Sequence, residues 1–197
     1  MKWLILLGFN VLTINALAMA QGPLSPVKTV AHVDLERYIG KWHEVASIPQ
    51  WFQKDCVANT TAEYSLAEDN FIRVYNSCEQ ENGERKIAEG RAKVVDNESN
   101  SKLKVTFVKI FKWIFAFGGK YWILDLAPDY SYAVVGDPTR EYAWILSRSP
   151  LLPYDKLVSA ELALKAQGYD TCKVITSIQD GGFTENKPLC QVIETSY

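Results

Sequence analysis

The chain has 197 residues, 48% hydrophobic and 22% charged, the composition of an ordinary globular protein with room for one large core. A formal charge of −2 and the absence of any basic stripe leave nothing to neutralise phosphates, so nucleic acid is excluded as a partner. The partner expected is an apolar small molecule or a protein.

Lys2 precedes an apolar run from Trp3 to Leu17, and Ala18-Met19-Ala20 is an A-x-A cleavage signal, so residues 1–20 read as a secretory signal peptide. The run is interrupted by Asn10 and Asn15 and is too short for a stable membrane span. Because the first cysteine is Cys56, no residue near the cleavage site can accept a lipid anchor. The mature protein is therefore expected to be soluble, periplasmic or secreted, with one β domain over residues 21–180 and a C-terminal tail over 181–197.

Residues 21–33, with Pro23 and Pro26, read as an irregular arm, and Asp34 as the N-cap of a brief helical turn before Gly40. A first strand runs from about Trp42 to Ile48 and stops at Pro49. A loop carrying Trp51 and Phe52 leads to a second, where Ala58, Thr60, Ala62, Tyr64 and Leu66 alternate with polar residues, the period of a half-buried strand. Beyond a turn at 67–70 the third strand places Ile72, Val74 and Asn76 on one face. The fourth places Ala88, Gly90, Ala92 and Val94 together, and the fifth Leu103, Val105 and Phe107.

From Tyr121 the alternation fades. The stretches 121–124, 132–135 and 142–146 are apolar on both faces, as strands covered on both sides are. A helix from about Tyr154 to Gln167, opened by Pro153 and closed by Gly168, is the expected cover. Its apolar face reads as Tyr154, Leu157, Val158, Ala160, Leu162 and Leu164, interrupted by Glu161 and Lys165, which can pair at i, i+4. The expected fold is all-β: an eight-stranded antiparallel up-and-down barrel with one C-terminal helix packed outside. An open sandwich is the alternative, and it leaves the two-sided character of only the last three strands unexplained.

Four cysteines in an exported chain favour disulfides over metal or catalysis. Cys56–Cys78 with Cys172–Cys190 is the favoured pairing, because the first two flank one predicted hairpin and the second two would tie down the tail. The rival is Cys56–Cys190 with Cys78–Cys172. With only His32 and His43, a histidine-based metal site has too few ligands. No Cys-x-x-Cys pair, G-x-S-x-G elbow, P-loop or G-x-G-x-x-G occurs, and the carboxylates are scattered over polar strand faces and turns. No catalytic residue, metal or cofactor is expected.

Three stretches, in order and at family spacing, resemble the lipocalin family, and within it bacterial outer-membrane lipocalins and apolipoprotein D. They are Gly40-Lys41-Trp42, the turn Pro128-Asp129-Tyr130 where Thr-Asp-Tyr is usual, and Arg148 after Trp144-Ile145-Leu146-Ser147. The resemblance covers roughly residues 27–180. It implies that the capped turn plugs the closed end of the barrel, that Arg148 packs over Trp42, that the helix lies outside, and that a short ninth strand occurs near 172–178. Relatives of the outer-membrane type are often lipoproteins, which the position of Cys56 does not match.

The function expected is non-enzymatic binding and transport of a small hydrophobic ligand, a fatty acid or lysophospholipid, in the cell envelope. Burying a chain of about sixteen carbons gains roughly 0.8 kcal/mol per methylene, and a bilayer offers the same gain, so a barrel lined by apolar side chains suits exchange. The alternatives are a structural or interaction protein whose barrel is filled by side chains, and an enzyme acting on an apolar substrate. Strand parity assigns Tyr64, Asn76 and Trp144 to the ligand-facing wall, with Phe107 and Trp122 as further candidates. In an up-and-down barrel the first and fifth connections share one end. Trp51, Phe52, Phe111, Trp113 and Phe115, flanked by Lys109, Lys112 and Lys120, are thus expected to form a rim making transient contact with a membrane surface. The competing arrangement tucks the second loop's aromatics against the barrel wall.

Overall fold

In the computed structural model, which describes residues 24–67 and 71–194, eight antiparallel strands follow one another around a closed barrel. They are β1 (Gly40–Ser47), β2 (Ala58–Leu66), β3 (Ile72–Glu79), β4 (Arg85–Val94), β5 (Lys102–Thr106), β6 (Gly119–Leu126), β7 (Tyr132–Gly136) and β8 (Ala143–Ser147). Each strand pairs with the next, and β1 pairs with both β2 and β8 to complete the ring. A two-residue strand, β9 (Ile175–Thr176), joins the upper half of β1, where Ala46 faces Thr176 and Ser47 faces Ile175. Among the described residues three α-helices accompany the barrel: α1 (Leu35–Tyr38), α2 (Tyr154–Ala166) and α3 (Leu189–Glu194). The predicted signal peptide at residues 1–20, the tip of the β2–β3 turn at 68–70 and residues 195–197 lie outside the described residues.

The period-2 pattern of the sequence maps onto two separate cores. One fills the barrel, with Trp42, Tyr64, Val74, Leu103, Ile123, Val135 and Leu146 among its members. The other lies between the barrel and α2, where Val45, Leu124, Val134 and Ile145 meet Leu157, Ala160 and Leu164. β7 contributes to both, and all five of its residues are buried. That explains why the late strands show no alternation.

The buried face of α2 is narrower than its sequence suggests. Leu157, Ala160, Glu161 and Leu164 are buried, whereas Tyr154 and Leu162 are exposed. Positions i, i+3, i+4 and i+7 form one stripe, and Leu162 falls on its far side. Glu161 occupies a core position at 1% exposure, accepting from the Lys165 ammonium and the Thr171 hydroxyl, each at 2.9 Å.

Both disulfides follow the favoured pairing, Cys56–Cys78 and Cys172–Cys190, with Cα separations of 5.5 and 5.0 Å. The tail is more structured than expected. α3 buries Leu189 and Ile193 against the α2-side core, and Cys190 sits between them.

Candidate binding site

At the closed end, Asp34 caps α1 by accepting from the Glu36 and Arg37 amides at 3.0 and 3.3 Å. Gly40 then turns the chain into β1 at φ +98°, left-handed backbone that disfavours a side chain, and a Cβ there would lie 3.2 Å from Arg148 Nη1. The Arg148 guanidinium sits 3.7 Å over the Trp42 ring. Its Nη1 donates to the Lys41 carbonyl at 2.9 Å, and its Nη2 to the carbonyls of Arg37, Tyr38 and Ile39 at 2.7, 3.1 and 3.0 Å. Trp42, fully buried, donates its Nε1–H to the Tyr38 carbonyl at 2.9 Å. The Asp129-Tyr130 turn locks this plug from below. The Tyr130 hydroxyl accepts from the Asp34 amide, the Arg37 guanidinium lies 4.0 Å over the Tyr130 ring, and Asp129 pairs with Lys156 at 2.9 Å.

Above the plug the barrel is filled by tyrosines. The Tyr121 hydroxyl meets those of Tyr38 at 2.7 Å and Tyr64 at 3.1 Å. Burial pushes the Tyr64 phenol up to about 12, and those of Tyr38 and Tyr121 well above their ordinary value, neighbouring phenols adding to the effect in both. The space left beside them, about 10 Å³ among Leu35, Ile39, Ile72 and Leu103, holds no more than one water.

Of the other ligand-facing candidates, Asn76, Trp144 and Phe107 face inward at separate places on the wall. Asn76 stands opposite Ala62 and Ala88 on the inward face, its buried Oδ1 without a hydrogen-bond partner. Trp144 stands opposite Ser47 and Val135 and stacks on Tyr142 at 6.1 Å. The Phe107 ring lies against the inner side of Gly90, where a Cβ would come within 2.8 Å of it. Trp122 does not belong with them. Its neighbours Tyr121 and Ile123 point inward, so Trp122 points outward, packing on the α2-side core with the Lys102 ammonium 5.0 Å over its ring.

The structure adds a polar cluster at the mouth. A bulge between Glu44 and Ala46 shifts the parity of β1, so Glu44 (opposite Leu146) and Ser47 (opposite Trp144) both face inward. Glu44 is 7% exposed. Its Oε1 accepts from the hydroxyls of Ser47 and Ser177 at 2.9 and 2.7 Å, and its Oε2 from Gln53 Nε2 at 2.8 Å. Gln179 bridges β1 and β2 beneath it, donating to the carbonyls of Glu44 and Thr60 at 3.0 and 2.8 Å. A cavity of about 240 Å³ opens here, lined by Glu44, Ser47, Gln53, Lys54, Thr60 and Ser177 among others. In the sequence Glu44 is one more strand carboxylate, set apart only by its two-residue spacing from Trp42.

The aromatic loops divide. Trp51, 79% exposed, and Phe52 form an edge-to-face pair at the mouth. Their loop is tied down by Gln50 donating to the Glu141 carbonyl and Lys86 to the Phe52 carbonyl. In the β5–β6 connection a small hairpin bridged at Lys109 and Trp113 carries Phe111 at its tip, 98% exposed. Trp113 and Phe115 are not on the rim. The Arg91 and Lys109 side chains sit 4.9 and 5.2 Å from the Trp113 ring, and Phe115 packs on Phe71 at 5.0 Å with the Lys93 ammonium 4.9 Å away. β5 ends at Thr106, opposite Arg91 and well down the wall of β4, so the chain folds back along the outer face toward the β2–β3 turn.

The profile of the Lipocalin-like domain matches residues 33–179. Temperature-induced lipocalin-1 of Arabidopsis thaliana is 40% identical over 153 residues, 75% of this chain and 80% of that protein. The outer membrane lipoprotein Blc of Vibrio cholerae is 35% identical over 180 residues, 89% of this chain and 97% of that protein. Rat apolipoprotein D is 33% identical over 166 residues, covering 80% and 82%. Among solved structures, insecticyanin from the tobacco hornworm superimposes with a TM-score of 0.63 at 26% identity, over 85% of this chain and 95% of that one. With its barrel, its plugged base and these relatives, the chain belongs to the lipocalin family, whose members generally bind small hydrophobic ligands.

Proposed function

We propose that this protein is a non-enzymatic carrier of a single-chain lipid, a fatty acid or lysophospholipid, in the cell envelope or outside the cell. The observation that carries the reading is the closed barrel with a cavity at its mouth, onto which the inward-facing Glu44 and Ser47 open. At about 240 Å³ the cavity lies below the usual range of ligand pockets, roughly 300–1,000 Å³, which favours one acyl chain over two. The two disulfides suit an oxidising compartment. Native mass spectrometry with lipid extraction tests the proposal: a co-purified single-chain lipid supports it, and a cavity that stays empty against a lipid panel overturns it.

The same reading includes a transient membrane contact. Trp51, Phe52, Ile110 and Phe111 are exposed apolar side chains, and Lys109 and Lys112 border the last two. A Trp51→Ser/Phe111→Ser variant should fold normally and lose co-sedimentation with anionic liposomes. Unchanged binding would sink this part. The packing of Tyr38, Tyr64 and Tyr121 favours the second reading, a side-chain-filled structural barrel, and the same mass-spectrometric experiment decides between them.

A further inference from the structure

We infer that the mouth cavity is a head-group site for a protonated amine, so that the carrier prefers a single-chain amphiphile with an ammonium head to one with a carboxylate. This rests on the carrier reading above and names its cargo more narrowly.

The inference comes from Glu44. A carboxylate enclosed to this degree is costly unless a cation or a full set of donors compensates it. Its donors are two hydroxyls and one amide, all neutral, and no Lys, Arg or His of the described residues forms an ion pair with it. Gln53, which supplies the amide, leaves its own Oε1 buried and without a partner. Glu44 and Gln53 both line the cavity. The enclosed carboxylate and the unpartnered amide oxygen are acceptors in need of donors, so the site fits a group with several N–H donors and positive charge. Ser47, on the cavity wall, is directly opposite Trp144 across the β1–β8 ladder. A fatty acid would instead bring a second negative charge toward Glu44 and no donor for Gln53. Lys54, exposed at the lip of the cavity, could meet a phosphate if the amine belongs to a phospholipid head.

The experiment compares dodecylamine, dodecanoate and dodecanol by displacement of a fluorescent probe at neutral pH, in the parent and in Glu44→Gln. Glutamine keeps the shape and an acceptor for the serines while removing the charge. The parent should bind dodecylamine at least about tenfold more tightly than dodecanoate, and Glu44→Gln should erase that ratio while leaving dodecanol within about twofold. Equal affinity for all three in the parent, or an equal loss for all three in the variant, overturns the inference and leaves the carrier intact. If no dodecyl compound binds, the carrier reading falls with it. Should Glu44→Gln not fold, Gln53→Leu tests the same site, and an unchanged amine preference there would also refute it. Lysophosphatidylethanolamine against lysophosphatidylcholine of equal chain length then identifies the source. A preference for the former that Lys54→Ala weakens assigns a phospholipid head, and indifference between them with the dodecylamine preference intact assigns a simple long-chain amine.

Discussion

Replacing Trp42 by alanine removes a fully buried indole that has the Arg148 guanidinium 3.7 Å from its ring and the Tyr38 ring 5.1 Å away. Truncations of this kind cost about 3–5 kcal/mol in lost contacts and residual cavity. The Tyr38 carbonyl loses the indole N–H but keeps Arg148 Nη2, so no buried acceptor is orphaned and the cost stays within that range. In urea, with a slope of about 2 kcal/mol per molar, the midpoint should fall by roughly 1.5–2.5 M, and the melting temperature by about 6–20 °C. Far-ultraviolet circular dichroism with both disulfides oxidised reads the transition. Arg148→Met should cost less, because the carbonyls it caps are partly open to water. Ligand affinity per folded molecule should not change, since Trp42 lies at the plug with the tyrosine cluster above it. A midpoint shift below about 0.5 M, or an unchanged midpoint with lost binding, would refute the assignment of Trp42 to structure.

Ligand-induced quenching of tryptophan fluorescence should vanish in Trp144→Phe, and quenching that survives there would contradict the inward placement of this ring. The Cys56→Ser/Cys78→Ser variant, which opens a loop of sequence separation 22, should lose about 3 kcal/mol in urea unfolding. The Tyr38, Tyr64 and Tyr121 phenols are held neutral in the fold and ionise near 10 when unfolded. Their raised values contribute stability that is complete below pH 10 and is lost as pH rises toward 12 and beyond. Ultraviolet titration should accordingly show these three ionising only as the barrel opens, and reversible ionisation near pH 10 in the folded state would refute their burial.

Much of the barrel was legible because its signals are local. Ala62 and Tyr64 on β2, Val74 on β3 and Leu103 on β5 each sit in strict alternation, which fixes face and register together. The closed end was readable from Gly40, Trp42 and Arg148, and the disulfides from the way Cys56 and Cys78 flank one hairpin. What failed depends on distant contacts. Trp122 lies in a strand apolar on both faces, so parity carries no hydrophobic signal. Its orientation follows from Tyr121 meeting hydroxyls 83 and 57 residues away. The bulge at Glu44 is hidden by Val45 and Ala46, which are apolar whichever way they point. Trp113 and Phe115 depend on how far up the wall β5 extends, which its composition does not state. α3 has six residues, too few for a periodic pattern.

The barrel has a second layer on one side only, and this makes it mechanically lopsided. β7 is sandwiched between the interior core and α2, so exposing its amides means stripping the helix away, an event close to complete unfolding. On the other side, among the described residues, no α-helix covers the first residues of β4, Arg85 to Ala88, which are mostly exposed. The neighbouring end of β3 is fastened by Cys56–Cys78, which leaves the start of β4 as the lip that frays first. The cup therefore has a stiff back and a compliant front, and its rim can breathe without loss of the fold. Hydrogen exchange should find the slowest amides in β7 and the fastest strand amides at Arg85–Ala88, with ligand slowing the latter far more than the former.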